Sequence, residues 1–202
     1  MKLNKVLIII SIPFLVNLII GCCDCIETMF FDYTNCSVSI ENLDNSGREV
    51  IVSLSNQISR KAFGLRINIE RKEDVCGNDF QPLFISPAYA ISCDYCPEKL
   101  YLPLDSIVSL DVITNDDFDS GHSANDNISE YFSVLMSTEF ISINEFINRQ
   151  HNEVYDINNS DLQFDLMLMS PPDESSEYQF EVQIELSDGR VLTETSAIVE
   201  LI

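Results

Sequence analysis

The chain has 202 residues, with 33 Asp and Glu against 11 Lys and Arg and a net charge of −22. An apolar share of 46% excludes a disordered chain, and the length fits one domain with a small appendage. So large an acidic surplus excludes a nucleic-acid binder, which needs Lys and Arg against phosphate.

Residues 1–5 are short and basic through Lys2 and Lys5. Residues 6–20 are mostly apolar, broken by Ser11, Pro13 and Asn17. A spanning helix needs about 20 apolar residues, so this segment is too short and interrupted to cross. It has the basic and apolar regions of a secretory signal, predicted over residues 1–21. Ile19, Ile20, Gly21 and Cys22 follow, and this run resembles the bacterial lipobox. The resemblance implies cleavage before Cys22, a diacylglyceryl thioether on its sulfur and an acyl chain such as palmitate on the new amino terminus. Cys22 is thus the expected lipidation site and the first mature residue. Loss of residues 1–21 leaves nine bases against 33 acids, a net charge of −24, so the acyl chains must hold the membrane without basic help.

Cys23, Cys25, Cys36, Cys76, Cys93 and Cys96 remain. An even number in an exported chain predicts disulfides, and the sequence does not select among the pairings. Cys36, Cys76, Cys93 and Cys96 are the disulfide candidates, since Cys23 and Cys25 fall in the expected tether. Cys93 and Cys96 also form a C-x-x-C pair. A redox pair needs a helix N-terminus to lower the thiol pKa, but Pro87 precedes and Pro97 follows, which predicts a loop. A zinc site would need Cys23 and Cys25 as its other half, a poor one beside a lipidated terminus. No metal and no cofactor is expected.

The predicted organisation is a signal peptide over 1–21, a lipidated tether over 22–35 and a single domain over 36–202. Strand-like alternation starts at Val38 and Ile40, continues through Val50, Val52 and Leu54, and recurs at Leu65, Ile67 and Ile69. Residues 74–103 form an irregular, Cys- and Pro-containing stretch that needs pinning. Residues 107–114 are a strand with Val108, Leu110 and Val112 on one face. Ile128, Tyr131, Phe132 and Leu135 carry weak helical spacing. Ser142 and Glu145 match a capping box ahead of Ile143, Phe146 and Ile147, predicting a short helix. Leu162, Phe164, Leu166 and Leu168 form another strand. Tyr178, Phe180, Val182, Ile184 and Leu186 alternate strictly with polar residues, and Asp188 and Gly189 predict a two-residue hairpin turn into a return strand over 191–201. The fold class is mainly β: an antiparallel β-sandwich of immunoglobulin-like architecture with one or two short helices.

Residues 105–202 carry 21 acids and only two bases, Arg149 and Arg190, which reads as a solvated acidic face. Asn115, Asp117, Asp119 and Asp126 have the oxygen-rich spacing of a calcium loop. Ser120 stands where such a loop turns on Gly, however, and Asp126 where it uses the longer Glu. An acidic turn closing its own backbone amides is the preferred reading. Ser120, His122 and Asp119 contain triad residue types, but neighbours in one loop do not make a triad. No G-x-S-x-G, H-E-x-x-H or Gly-rich phosphate motif occurs, so no catalytic residue is assigned and the chain reads as a non-enzyme.

The stretch from Ile107, Val108, Ser109 and Leu110 into Asn115, Asp116, Asp117, Phe118 and Asp119, then Ile128 to Phe132, with the closing hairpin from Leu186 to Leu192, resembles small uncharacterised lipoproteins of Bacteroidetes. That resemblance implies a domain of unknown function on the outer membrane, facing the cell surface or the periplasm, and transfers no active site. The expected role is a non-catalytic binding or interaction module. Its partners would be the membrane, through the acyl chains on Cys22, and an envelope protein or a glycan. An accessory subunit of an envelope complex, or a glycan or peptide hydrolase, is the alternative.

Overall fold

The computed structural model describes residues 29–73, 99–151, 155–156 and 161–202. In chain order the elements are β1 (Met29–Asp44), β2 (Ile51–Val52), β3 (Gln57–Ile58), β4 (Phe63–Glu73), β5 (Lys99–Pro103), β6 (Ile107–Thr114) and a 3₁₀ turn (Ser129–Tyr131). Then come β7 (Phe132–Met136), β8 (Glu139–Ile141), α1 (Ile143–His151), β9 (Tyr155–Asp156), β10 (Leu162–Leu168), β11 (Ser176–Tyr178), β12 (Phe180–Leu186), β13 (Val191–Thr195) and β14 (Val199–Leu201).

The molecule is a β-sandwich. One layer is an eight-stranded sheet in the order β8-β7-β10-β4-β1-β5-β9, with β2 on β1. Two three-stranded sheets, β13-β12-β6 and β11-β14-β3, supply the other side. Pairing is antiparallel except for β1 with β5 and β14 with β3. The layers meet because two long strands alternate without error. Phe63, Leu65, Ile67 and Ile69 of β4 are each 0% exposed, and so are Phe180, Val182 and Ile184 of β12. Phe63 and Phe180 bring their ring centroids to 5.1 Å across the gap. Each such side chain, fully removed from water, contributes about 1.5–3 kcal/mol.

Gly64 lies in β4 where β10 presses closest. A Cβ there would sit 2.8 Å from the Leu166 carbonyl oxygen and 2.8 Å from the Met167 sulfur. Gly64→Ala is therefore expected to destabilise by about 1–3 kcal/mol, the range for overpacking, measured as a lower urea midpoint at unchanged slope. An unshifted midpoint would show that β10 yields there.

Several expectations are corrected in detail. β1 begins at Met29, inside the stretch read as tether, and Tyr33, Thr34 and Asn35 are buried. The strand expected around Val50, Val52 and Leu54 shrinks to two residues, and Leu54 is 100% exposed. Residues 128–135 form a 3₁₀ turn and then β7, because Phe132 and Val134 alternate into the core while the backbone pairs with β10. Val108 is 51% exposed while Ile107, Leu110 and Val112 are buried. The cause is a bulge: Leu186 opposes Ile107 and Glu185 opposes Ser109, so Val108 is the extra residue that resets the face.

The C-terminal hairpin turns through three residues, Ser187, Asp188 and Gly189, not two. Gly189 N–H donates to the Leu186 carbonyl, Leu186 N–H donates to the Arg190 carbonyl, and Gly189 alone takes a positive φ, 87°. That is a type I turn closed by a left-handed glycine. The return strand breaks after Thr195, where buried Ser196 exchanges hydrogen bonds with the Phe180 backbone and hands the chain to β14. Helix α1 keeps half of its capping box. The Ser142 hydroxyl accepts from Glu145 N–H at 3.1 Å, while the Glu145 carboxylate turns to Arg149 at 2.7 Å.

One polar cluster missed by the sequence reading ties the hairpin to the main sheet. Asp105 is 3% exposed and accepts from the Arg190 guanidinium at 2.6 Å and from the Asn35 backbone N–H at 3.2 Å. Arg190 also donates to the Asn35 carbonyl at 2.9 Å.

Candidate functional site

A cleft opens at the end of the sandwich where β6 runs into residues 115–128. This loop folds back on the outer edge of β6. Asn125 N–H donates to the Thr114 carbonyl at 2.7 Å and Ile128 N–H to the Val112 carbonyl at 2.8 Å. Its Asp side chains close local turns, as Asp does where the chain bends sharply, while Asn115 reaches across to Gln179, just ahead of β12. Asn115 accepts from Gln179 N–H at 2.6 Å, Asp117 from Ala124 N–H at 3.0 Å and Asp126 from Ser123 N–H at 2.7 Å. Asp119 accepts from the N–H groups of Gly121 at 2.7 Å and His122 at 2.9 Å.

The cleft holds about 430 Å³ and takes Asp116, Asp117 and Asp119 from this loop and Asp173 and Glu174 from the β10–β11 connection. Its floor is apolar: Phe118 and Tyr178 lie 5.9 Å apart in an edge-on contact, and Phe118 stacks on Tyr131 at 5.4 Å. Arg60 fastens the far wall by donating to the carbonyls of Pro172 and Asp173 at 3.0 and 2.9 Å.

One side of the loop is locked by a four-residue cluster. His122 Nδ1 lies 3.0 Å from Asp119 Oδ1, and Nε2 lies 3.4 Å from Glu130 Oε1. Tyr131 O–H donates to Asp119 Oδ2 at 2.7 Å. These bonds to Tyr131 and His122, with the Gly121 amide, hold the Asp119 carboxyl far below the usual carboxylate range. The same Asp119 bond raises the His122 pKa against partial desolvation, with Glu130 and Asp126 adding to it. The Tyr131 hydroxyl is pushed up to about 12, chiefly by its bond to Asp119. His122 thus links Asp119 by a hydrogen bond and faces exposed Glu130 across 3.4 Å, and the four side chains act as a clasp on the loop.

The clasp sets a pH dependence. A histidine whose pKa is raised by folding stabilises fully below its ordinary value, near ~6.5, and that contribution is lost as pH rises through the raised native value. Asp119, with its pKa lowered, contributes above the ordinary carboxylate value and fails only in strong acid. The melting temperature should therefore fall from pH 6 to pH 9 by a component that His122→Gln abolishes. Parallel Tm profiles for the two proteins would contradict this.

Among the described residues, no group of three or more His, Cys, Asp and Glu is arranged to hold a metal ion. With Asp117, Asp119 and Asp126 each closing backbone amides, millimolar Ca²⁺ is expected to leave Tm unchanged. A clear rise would show that the loop rearranges to bind the ion.

Of the residues singled out in the sequence, Asp119 and His122 pair at 3.0 Å, and Asp119 and Ser120 line the cleft. Cys36 is half-buried at the bulge in β1 between Asn35 and Ser37. Cys22, Cys76, Cys93 and Cys96 lie outside the described residues, as do Cys23 and Cys25. The sequence reading missed Asp173, Glu174, Tyr131 and Glu130. Only the Pro171-Pro172 pair ahead of the first two hinted at a fixed turn.

Residues 35–197 match the family described as Domain of unknown function (DUF5034), a span that includes the loop, the cleft and the clasp. No curated protein and no solved structure matches the chain.

Proposed function

The chain belongs to the DUF5034 family of domains of unknown function, and from that premise we propose that it is an exported lipoprotein, held on the outer membrane by acyl chains on Cys22, whose sandwich serves as a non-catalytic binding module. The observation that carries the anchor is Gly21-Cys22 at the end of an apolar run that follows two lysines. Two or more acyl chains give stable attachment, with each buried CH₂ stabilising by about 0.8 kcal/mol. The same export route favours disulfides among Cys36, Cys76, Cys93 and Cys96. The unreduced mature protein should accordingly show fewer than six reactive thiols beyond Cys22, and six would overturn the pairing.

The non-catalytic reading rests on how the cleft is built. His122, which pairs with Asp119 beside the cleft, is not among its lining residues, and the lining carboxylates Asp117 and Asp119 close backbone amides. What the cleft offers is a fixed acidic wall over two aromatic rings, a surface suited to recognition. A photo-crosslinking side chain at Ser120 in intact cells should give a discrete adduct that the same group at Thr193, on exposed β13, does not. Identical patterns at both positions would count against binding here. Turnover of a glycan or peptide by the purified protein, lost in Asp119→Asn, would replace the module with an enzyme.

A further inference from the structure

We propose that the domain stands on its bilayer by the pole where β1 begins and holds the acidic cleft at the opposite pole, facing away from lipid. This rests on the lipid anchor proposed above and adds an orientation to it. Reach excludes the inverted orientation. From Cys22 to Met29 there are seven peptide steps, which span at most about 25 Å in any conformation. β1 has 16 residues, and at about 3.3 Å per residue it runs roughly 50 Å from its first residue to its last. An inverted domain would put Met29 about twice as far from the bilayer as the lipidated residue can follow.

The strand register fixes what sits at each pole. Met29 opposes Lys99 and Tyr33 opposes Glu73, so the start of β5 and the end of β4 share the near pole. β10 starts beside the middle of β1, with Leu162 opposite Ile69 and Ile69 opposite Val38, and runs outward until Met167 opposes Gly64. At the far pole Asp44 opposes Phe63, and Asn45 N–H donates to the Ala62 carbonyl. Arg60, two residues before Ala62, donates to Asp173, and Asp173 N–H donates to the Phe118 carbonyl. Met169 N–H, just past the end of β10, donates to the Tyr131 carbonyl. The cleft and the clasp therefore belong to the far pole.

Charge acts in the same direction. The far pole presents Asp116, Asp117, Asp126, Glu130, Asp173 and Glu174 against Arg60 and Lys61, whereas the last residues of β4 towards the near pole mix Arg71, Lys72 and Glu73. An anionic leaflet repels the acidic surplus of the far pole.

The test is energy transfer from single fluorophores to headgroup acceptors. The full-length lipidated protein is reconstituted into phosphatidylcholine–phosphatidylglycerol vesicles, with the donor attached through an encoded azide at exposed Asp32 or at exposed Ala124. Transfer from Asp32 should exceed transfer from Ala124 several-fold. A flexible insertion of about twenty Gly and Ser residues after Cys25 should raise the Ala124 signal towards that of Asp32 by releasing the restraint. Equal transfer from the two positions in the uninserted, vesicle-bound protein would overturn the orientation and leave the anchor standing. Failure of the protein to bind vesicles at all would overturn the anchor, and the orientation with it.

Discussion

Phe180→Ala is expected to destabilise the domain by about 3–5 kcal/mol, the range for removing a fully buried ring. Phe180 is 0% exposed, and its ring meets three others: Phe63 at 5.1 Å, Phe132 at 6.1 Å and Tyr178 at 6.0 Å. Two of these partners belong to the facing sheet, so truncation opens a void between the layers instead of at an edge. Small domains have about 5–15 kcal/mol in hand, so this loss approaches the unfolding threshold. Phe140, 49% exposed on β8, supplies the control: Phe140→Ala should stay within about 0.5 kcal/mol. Urea denaturation of both variants decides the point. A cost below about 1 kcal/mol for Phe180→Ala would mean that the two layers are not held by this contact.

Cys22→Ala combined with Cys23→Ala should abolish incorporation of labelled acyl chain completely, because the single Cys22→Ala change leaves Cys23 behind a small residue at the end of the same apolar run. The uncleaved precursor would keep residues 1–21, so labelling and amino-terminal processing are the informative readouts, and crude fractionation is not. Undiminished labelling would move the acyl site elsewhere. A mature chain still cut before position 22 would indicate an ordinary signal peptide. Cys36→Ala is the matched control, expected to leave labelling intact.

The sequence was most legible where one physical rule acted alone. β4 and β12 are read directly because every second residue is apolar and both strands bury a single face. The capping residue of α1 was visible for a similar reason: Ser142 satisfies an amide three residues ahead, a local act. Legibility failed where two rules met. At residues 128–135 an i, i+3, i+4 spacing came from a turn, Ile128 to Tyr131, abutting a strand that buries Phe132 and Val134. At Val108 an alternating pattern crossed a bulge, and nothing in the residues themselves marks the slip. The candidate site divides in the same way. The closures of Asp117, Asp119 and Asp126 on nearby amides follow from Asp and Asn in a tight loop. That Tyr131, Glu130, Asp173 and Glu174 would complete the clasp and the cleft depends on tertiary packing. The ion pair of Asp105 with Arg190, 85 residues apart, was beyond any local pattern.

The clasp and the anchor are separable. His122 and Asp119 hold the loop, whereas the proposed acylation of Cys22 would set where the domain is. A variant of either should leave the other readout intact, since the clasp residues and Cys22 lie about 100 positions apart in the chain.

Intact-mass and amino-terminal mass spectrometry of the native protein is the most direct test of the lipid anchor. The expected result is a chain that starts at Cys22, carries a diacylglyceryl thioether on its sulfur and is acylated on its amino group. A chain that retains residues 1–21, or one whose residue 22 is an unmodified cysteine, would contradict it.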